Sequence, residues 1–175
     1  MIGNYLVHRC LIDNGNSVDI LYLDVLEKMM ISPHSLQAAV SPLHGFTGDS
    51  IFPKGSIELV ISFGEEPKRS TAMFNFMVVK GRSSYNAIIG RPTLVALKAV
   101  TSIYHLCLKF PPPCGIRVVR GDQYEARMCY TMSIRSASAD SKGKRTAGEV
   151  GLTKKAFTIG VPDIQYELDP RLSAQ

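Results

Sequence analysis

The sequence predicts a mainly β domain of modest size, and three observations support this prediction. Short apolar runs recur along the chain, and its 14 glycines and 10 prolines are spread between them. Several of these runs alternate apolar and polar residues, which is the period of a strand with one buried face. The chain has 175 residues, of which 45% are hydrophobic and 20% charged, as is typical of a globular domain.

The strands are predicted in the first 110 residues, where turn residues close each apolar run. Gly64 and the charged residues after it end one such run, and three consecutive prolines at 111–113 end another. We predict an extended segment at residues 43–48 and strands over residues 5–12, 18–22, 57–63, 71–79, 87–89 and 102–110.

Two short helices are predicted between the strands. The apolar residues of the segment 23–30 have helical spacing, and this run ends before Pro33. Residues 92–99 suit a second helix, because a proline is tolerated in the first helical turn.

The pattern weakens after residue 113. Residues 114–130 keep some apolar content and are predicted to form an extended arm or an extra strand. Residues 133–150 are rich in Ser, Ala, Gly and Lys, and we predict that residues 131–175 form a flexible linker or a largely disordered tail. The folded domain is therefore expected over residues 1–113.

The strongest candidate for chemistry is the stretch Leu-Ile-Asp-Asn-Gly-Asn-Ser at residues 11–17. An apolar strand would carry Asp13 into a dry place, and Gly15 would allow a sharp turn that brings backbone N–H groups to the carboxylate. Asp-Asn-Gly by itself is also an ordinary turn. The candidate catalytic residue is Asp13, and the candidate turn residues are Asn14, Gly15, Asn16 and Ser17.

A second motif strengthens this hypothesis. Ala-Ile-Ile-Gly-Arg at residues 87–91 is a short apolar strand followed by a glycine, and Ile88 lies 75 residues after Asp13. No other aspartate of the sequence has a glycine two residues later, so the chain supplies a single candidate carboxylate. Asp19 falls in the next predicted strand, where β alternation allows it to face solvent or to pair locally.

The cysteines predict neither disulfides nor a zinc site. The four cysteines form no Cys-x-x-Cys pair and have no secretory context. His8 and Cys10 fall on one face of a strand, as do His105 and Cys107, so two adjacent strands would be able to hold zinc. Alternate residues on two half-buried strands explain the same spacing, and we expect no metal and no cofactor.

Charge and hydropathy argue against other classes of protein. The net charge is +5, but the basic residues do not cluster on any one strand. A small basic β-domain that binds nucleic acid is therefore a disfavoured interpretation. No apolar run is long enough for a membrane helix, and no secretory signal opens the chain. We expect an intracellular, cytoplasmic protein with no membrane partner.

These motifs, in this order, resemble the protease region of Gypsy-type LTR retrotransposon polyproteins, most closely those of plants. Residues 10–21 resemble the active-site segment and residues 42–55 the flap region. Residues 85–94 resemble the apolar-apolar-Gly-Arg motif that precedes the helix of retropepsins. The likeness continues to about residue 130, and we expect the chain to be one piece of a longer polyprotein.

The resemblance implies a retropepsin-like closed β-barrel, the acid protease fold, with one short helix. It implies a homodimer in which each chain supplies one Asp13, and an extended peptide of the chain's own polyprotein as the substrate. Ile88 and Ile89 would pack beneath the active-site turn, supported by Gly90, and Arg91 would form an ion pair that braces the dimer. The flap would contain Gly45, Phe46, Thr47, Gly48, Phe52 and Gly55.

Two functional interpretations follow from the resemblance. The first is an aspartic endopeptidase that processes the polyprotein. Active retropepsins generally carry Thr or Ser after the aspartate, whereas this chain has Asn14, whose amide would bond across the dimer with a different geometry. The second interpretation is therefore a catalytically inactive retropepsin-like module, a transposon remnant that serves in dimerisation or peptide binding.

Overall fold

The computed structural model of the chain describes residues 1–39, 41–45, 50–64, 69–112, 115–140 and 157–159. Its helices are α1 (Leu23–Lys28), α2 (Arg91–Ala96) and α3 (Gln123–Asp140). Its strands, in chain order, are β1 (Cys10–Ile12), β2 (Asp19–Tyr22), β3 (Leu43–His44), β4 (Ser50–Ile51), β5 (Gly55–Phe63), β6 (Ser70–Val79), β7 (Ala87–Ile89), β8 (Val100–Ser102), β9 (Cys107–Phe110), β10 (Arg117–Arg120) and β11 (Phe157–Ile159).

The largest sheet brings the two candidate motifs together. It has six strands in the order β11-β1-β7-β2-β6-β5, with β1 parallel to β7 and β2 parallel to β6. Leu11 pairs with Ile88 and Ile12 with Ile89, so β1 and β7 end at the same edge of the sheet. The turn after β1 therefore lies beside the start of α2, which follows β7 directly.

Alternation along these strands divides the buried side chains between the two faces of the sheet. One face belongs to the main core, where Ile12, Leu21 and Phe76 are almost completely buried. The other face carries a smaller cluster, which consists of Leu11, Ile20, Val79, Tyr85, Ile88 and Cys129. The strand that leads to Asp13 is thus covered on both sides.

Two smaller sheets contain the remaining described strands. One has the order β10-β9-β8, and β3 pairs with β4 in a two-stranded hairpin. The prediction of a mainly β chain with few helices is confirmed. Within the described ranges these pairings divide the strands among three sheets and do not by themselves close a barrel.

Most predicted elements are present, but two predicted strands are wrong in extent. In the run 5–12, only Cys10–Ile12 forms a strand of the large sheet, because Arg9 has a φ of 52° in the left-handed region. In the run 102–110, a turn separates β8 from β9, and Leu106 within it has a φ of 47°.

Helix α3 is the largest departure from the sequence prediction. Residues 114–130 contain the expected extra strand, β10, but the chain from Gln123 onward is helical and not extended. Asp122 Oδ1 accepts the backbone N–H of Glu125 at 3.0 Å, which caps the first turn of the helix. This Asp-x-x-Glu spacing is similar to a capping box, a signal that strand periodicity hides.

The segment predicted to be a flexible tail contains regular structure in its described residues. The end of α3 falls in it, as does β11, which pairs antiparallel with β1 and so forms one edge of the large sheet. The boundary of the folded domain at residue 113 stays a prediction.

Candidate active site

Asp13 lies half-buried at the point where the chain leaves β1. Its backbone N–H donates to the carbonyl oxygen of Ile89 at 2.9 Å, which continues the contact between β1 and β7 by one residue. Its side-chain Oδ1 accepts the backbone N–H of Gly15 at 2.9 Å. The carboxylate is therefore oriented by the backbone while part of it stays open to solvent.

Gly15 is in direct contact with the carboxylate that it supports. A Cβ at this position would lie 3.1 Å from Asp13 Oδ1, so any side chain would crowd the oxygen that accepts the Gly15 N–H. The N–H of Asn16 donates to the carbonyl oxygen of Asp13 at 3.2 Å and closes a tight turn. The geometry agrees with the role predicted for the glycine.

The turn is docked against the residues that follow β7. The backbone N–H of Arg91 donates to the carbonyl oxygen of Asn16 at 2.9 Å. The Arg91 guanidinium Nη1 donates to the carbonyl oxygen of Gly15 at 3.3 Å. Both contacts lie within one chain, and the ion pair across a dimer that the resemblance implies for Arg91 stays a prediction.

Gly90 has no space for a side chain. A Cβ there would press into the carbonyl oxygen of Val18 and would come within 2.9 Å of the carbonyl oxygen of Asn16. Backbone atoms cannot yield by a change of rotamer, so a larger residue would push the turn away from β7. Gly90 is also the N-cap of α2, but its close contacts are with the Asp13 turn.

Asp19, at the start of β2, is the residue whose role the sequence did not reveal. Its side chain is completely buried. Its Oδ1 accepts the backbone N–H of Gly90 at 2.6 Å, and its Oδ2 accepts the hydroxyl of Thr93 at 2.8 Å. The expectation that Asp19 faces solvent or pairs locally is wrong, because these partners lie 71 and 74 residues away along the chain.

Burial raises the pKa of the Asp19 carboxyl, and the hydrogen bonds from Thr93 and Gly90 offset part of that rise. A buried carboxyl group with donors on both oxygens is held in place and is shielded from any substrate. Asp19 therefore ties the end of the Asp13 turn to the first turn of α2. The available signal was an acidic residue inside an otherwise apolar strand.

The other predicted residues of the turn and of the supporting motif also lie at this junction. Asn14 and Ser17 are exposed, whereas Asn16 is partly buried. Ile88 and Ile89 are almost completely buried and point to opposite faces of the sheet. The structure thus brings the Asp13 turn and the Ile-Ile-Gly-Arg motif into one site.

The predicted flap is described only in part. Phe46, Thr47 and Gly48 lie outside the described residues. On either side of them β3 and β4 form a hairpin, in which Leu43 lies opposite Ile51. The base of the predicted flap is therefore a paired hairpin.

The remaining flap candidates occupy different surroundings. Gly45 is partly buried next to β3, and Phe52 is 75% exposed just after β4. Gly55 is buried at the start of β5, where a Cβ would lie 2.6 Å from the carbonyl oxygen of Gln37. Gly55 thus allows a close approach of two backbone segments at the foot of the hairpin.

Two further kinds of feature, a metal site and a membrane-spanning helix, are absent from the described residues. In the ranges that the structure covers, no group of three or more His, Cys, Asp or Glu side chains is placed to hold a metal ion. None of the helices in these same ranges has the length and apolar character needed to cross a membrane.

Comparison with known proteins gives a structural likeness but no sequence relative. No protein-family model matches the chain, and no curated protein matches it significantly. Among solved structures, the chain is similar to the crystal structure of the retroviral protease-like domain of Ddi1 from Leishmania major, with 18% sequence identity and a TM-score of 0.44. The alignment covers 66% of this chain and 86% of that chain.

Proposed function

We propose that the chain is the aspartic endopeptidase of a retrotransposon polyprotein, acting as a homodimer with a retropepsin-like barrel. The observation that carries the proposal is the half-buried Asp13 carboxylate, which accepts the Gly15 N–H at 2.9 Å at the end of a buried strand. This arrangement offers an acid of fixed orientation to a substrate. The assignment to a plant Gypsy-type element and to the cytoplasm rests on the order of the sequence motifs.

The presence of a single Asp13 supports the homodimer. In the full sequence no other aspartate is followed two residues later by glycine. Peptide hydrolysis by this route needs one carboxyl group that accepts a proton and another that donates one. Two copies of Asp13 across a two-fold axis supply both, because two such close carboxyl groups share one proton.

In the proposed reaction the ionised Asp13 takes a proton from a water molecule, which attacks the peptide carbonyl carbon. The protonated Asp13 of the second copy donates a hydrogen bond to the developing oxyanion, and the amine leaves with a proton. The N–H of Gly15 donates to this carboxylate and holds its orientation. The contacts of Gly90 and Arg91 with the turn keep this geometry from relaxing.

The substrate in this proposal is an extended peptide that lies between the large sheet and the β3–β4 hairpin. Backbone hydrogen bonds hold such a peptide in register, and its alternate side chains enter apolar pockets. Closure of the hairpin excludes water from the reacting bond.

Cleavage of an apolar peptide library by the purified chain tests the proposal. We expect cleavage with an acidic pH optimum, because the paired carboxyl groups must share a proton. Pepstatin is expected to block it, and Asp13→Asn to abolish it. Hydrolysis that survives in Asp13→Asn would overturn the assignment of the catalytic residue.

Mixing of subunits tests the dimer. When Asp13→Asn chains are added in about nine-fold excess and subunits exchange, most wild-type chains pair with a variant chain. Activity per wild-type chain should then fall about tenfold, since only dimers with two Asp13 residues cleave. Activity that is unchanged by the excess would show that one chain is sufficient.

Asn14 favours a second candidate, the inactive retropepsin-like module. Its side chain lies exposed on the turn, at the position where active retropepsins generally carry Thr or Ser. The Asn14→Thr variant separates the two candidates. The inactive module would be assigned if the wild-type chain binds pepstatin but cuts no peptide, and if cleavage appears only in Asn14→Thr.

A further inference from the structure

We propose that α3 is an autoinhibitory element, which covers the apolar surface beside Asp13 and must leave before a peptide binds there. The inference rests on the proposed function, since it concerns access to the same site. It follows from the register of three strands and from the residues that cover them.

The surface beside Asp13 is a continuous apolar row across β1, β7 and β2. In the register of the sheet, Ile88 lies opposite both Leu11 and Ile20. Leu11 precedes Asp13 by two residues, so strand alternation places both on the same side of the sheet. A peptide bound at Asp13 would lay its apolar side chains on this row.

This row is not open to solvent. Leu11 is 0% exposed, Ile88 1% and Ile20 3%. Part of the cover comes from Tyr85 and from the hairpin residues Leu43 and Ile51, which pack against the same cluster. Cys129 of α3, which is itself 1% exposed, belongs to this cluster and adds to the cover.

Two residues of α3 make polar contacts with the segment between β6 and β7. The Cys129 thiol donates to the carbonyl oxygen of Ser84 at 3.6 Å, and the hydroxyls of Ser84 and Ser133 lie 2.7 Å apart. Cys129 and Ser133 are one helical turn apart, so they form a narrow stripe. These contacts, together with those between α3 and β11, hold the helix against the large sheet.

α3 exposes large apolar side chains around the rest of its surface, namely Tyr124, Met128, Tyr130, Met132 and Ile134. A helix that belonged fully to the core would bury such residues and expose its small ones. The side chain that α3 adds to the cover of the row is the small one of Cys129, so a peptide with larger apolar groups would gain contact by replacing it.

Thiol labelling in the presence of pepstatin tests the inference in the unmodified chain. Burial raises the pKa of the Cys129 thiol, so the docked residue is both covered and protonated. If pepstatin displaces α3, labelling of Cys129 by 4,4′-dithiodipyridine should accelerate about tenfold or more, as expected for local opening. Cys107, which is 2% exposed in β9, is the matched control and should not respond.

Pepstatin binding that leaves the labelling of Cys129 unchanged or slower would overturn the inference and would leave the proposed function intact. If pepstatin binds neither to the wild type nor to Cys129→Glu, a variant designed to release α3, the proposed function fails and the inference fails with it.

An engineered, reversible disulfide between α3 and the segment before β7 provides the second test. The Ser84 and Ser133 hydroxyl oxygens lie 2.7 Å apart, so the double variant Ser84→Cys, Ser133→Cys brings two thiols close enough together to be oxidised. In its oxidised form α3 is held on the row, and pepstatin affinity should fall about tenfold or more below that of the reduced form. Each single variant, treated with the same oxidant, is the control. Equal affinity in the oxidised and reduced double variant would overturn the inference.

The released variant places a charge at the buried position. Cys129→Glu should raise pepstatin affinity, because a carboxylate is not tolerated within the apolar cluster and α3 leaves. Tyr130→Glu, at a neighbouring position that is 57% exposed, should bind pepstatin like the wild type. Equal affinities of the two variants in folded protein would overturn the inference.

Discussion

Asp13 and Asp19 are six residues apart, but their side chains differ in burial and in the number of hydrogen bonds that they accept. Asp13 is half-buried, and its side chain accepts one N–H, from Gly15. Asp19 is completely buried, and both of its oxygens accept hydrogen bonds. The comparison teaches that one residue type can serve for chemistry or for positioning. Solvent access and the number of donors decide which.

The two carboxylates act on the same junction from opposite ends. Asp13 begins the turn that follows β1, and Asp19 begins the strand that follows the turn. Gly90 lies between them, since its N–H binds Asp19 while its Cα faces the backbone of the turn. Variants of the two aspartates should therefore separate loss of chemistry from loss of structure.

The largest effect is expected for activity in Asp13→Asn. Asparagine keeps an oxygen that accepts the Gly15 N–H but cannot take a proton from water, so kcat should fall by about 10⁴-fold or more. The free energy of unfolding should change by less than about 0.5 kcal/mol. Peptide cleavage and urea unfolding of the same preparation check both statements. A stability loss as large as that of an Asp19 variant would contradict the comparison.

The next largest effect is expected for stability in Asp19→Ala. The variant leaves the Gly90 N–H and the Thr93 hydroxyl without their acceptor in a buried place, so the free energy of unfolding should fall by about 3 kcal/mol. Urea unfolding measures the change. Asp24→Ala is the control, because Asp24 is exposed and its contact with Lys28 at 3.9 Å is a surface ion pair, worth less than about 1 kcal/mol. Equal losses of unfolding free energy in both variants would contradict the positioning role of Asp19.

A smaller effect is expected for Thr93→Val. Valine has nearly the shape of threonine but cannot donate to Asp19 Oδ2, so the free energy of unfolding should fall by about 1.5 kcal/mol. Thr101→Val, at a partly buried position in β8, is the matched control and should have less effect. A neutral or stabilising Thr93→Val would show that the 2.8 Å hydrogen bond does not hold the junction.

The smallest effect is a pH dependence that belongs to Asp19. Because burial raises its pKa in the folded state, the folded chain binds this proton more tightly than the unfolded chain. As the pH falls from neutral through the raised pKa toward the ordinary pKa of aspartate, this group should add stability to the wild type. Asp19→Asn should lack this gain, and the exposed-site variant Asp24→Asn should keep it. Urea unfolding across that pH range measures the difference.

Local patterns carry information on the parts of the candidate site that are continuous in sequence. The Asp13 turn depends on Gly15, and α2 depends on a proline in its first turn, and both can be read over a few residues. The predicted strands 5–12 and 102–110 failed where a residue in the left-handed region breaks the run. Neither Arg9 nor Leu106 is a residue type that signals such a conformation.

The sequence by itself determined the apolar strands, the Asp-Asn-Gly turn and the presence of one such turn per chain, because each depends on neighbours a few residues away. The tertiary structure alone decided that Asp19 is buried against Gly90 and Thr93, and that Cys129 of α3 covers the row beside Asp13. These contacts join residues far apart in the chain. Pairing and burial between distant segments depend on register and packing, which no local pattern encodes.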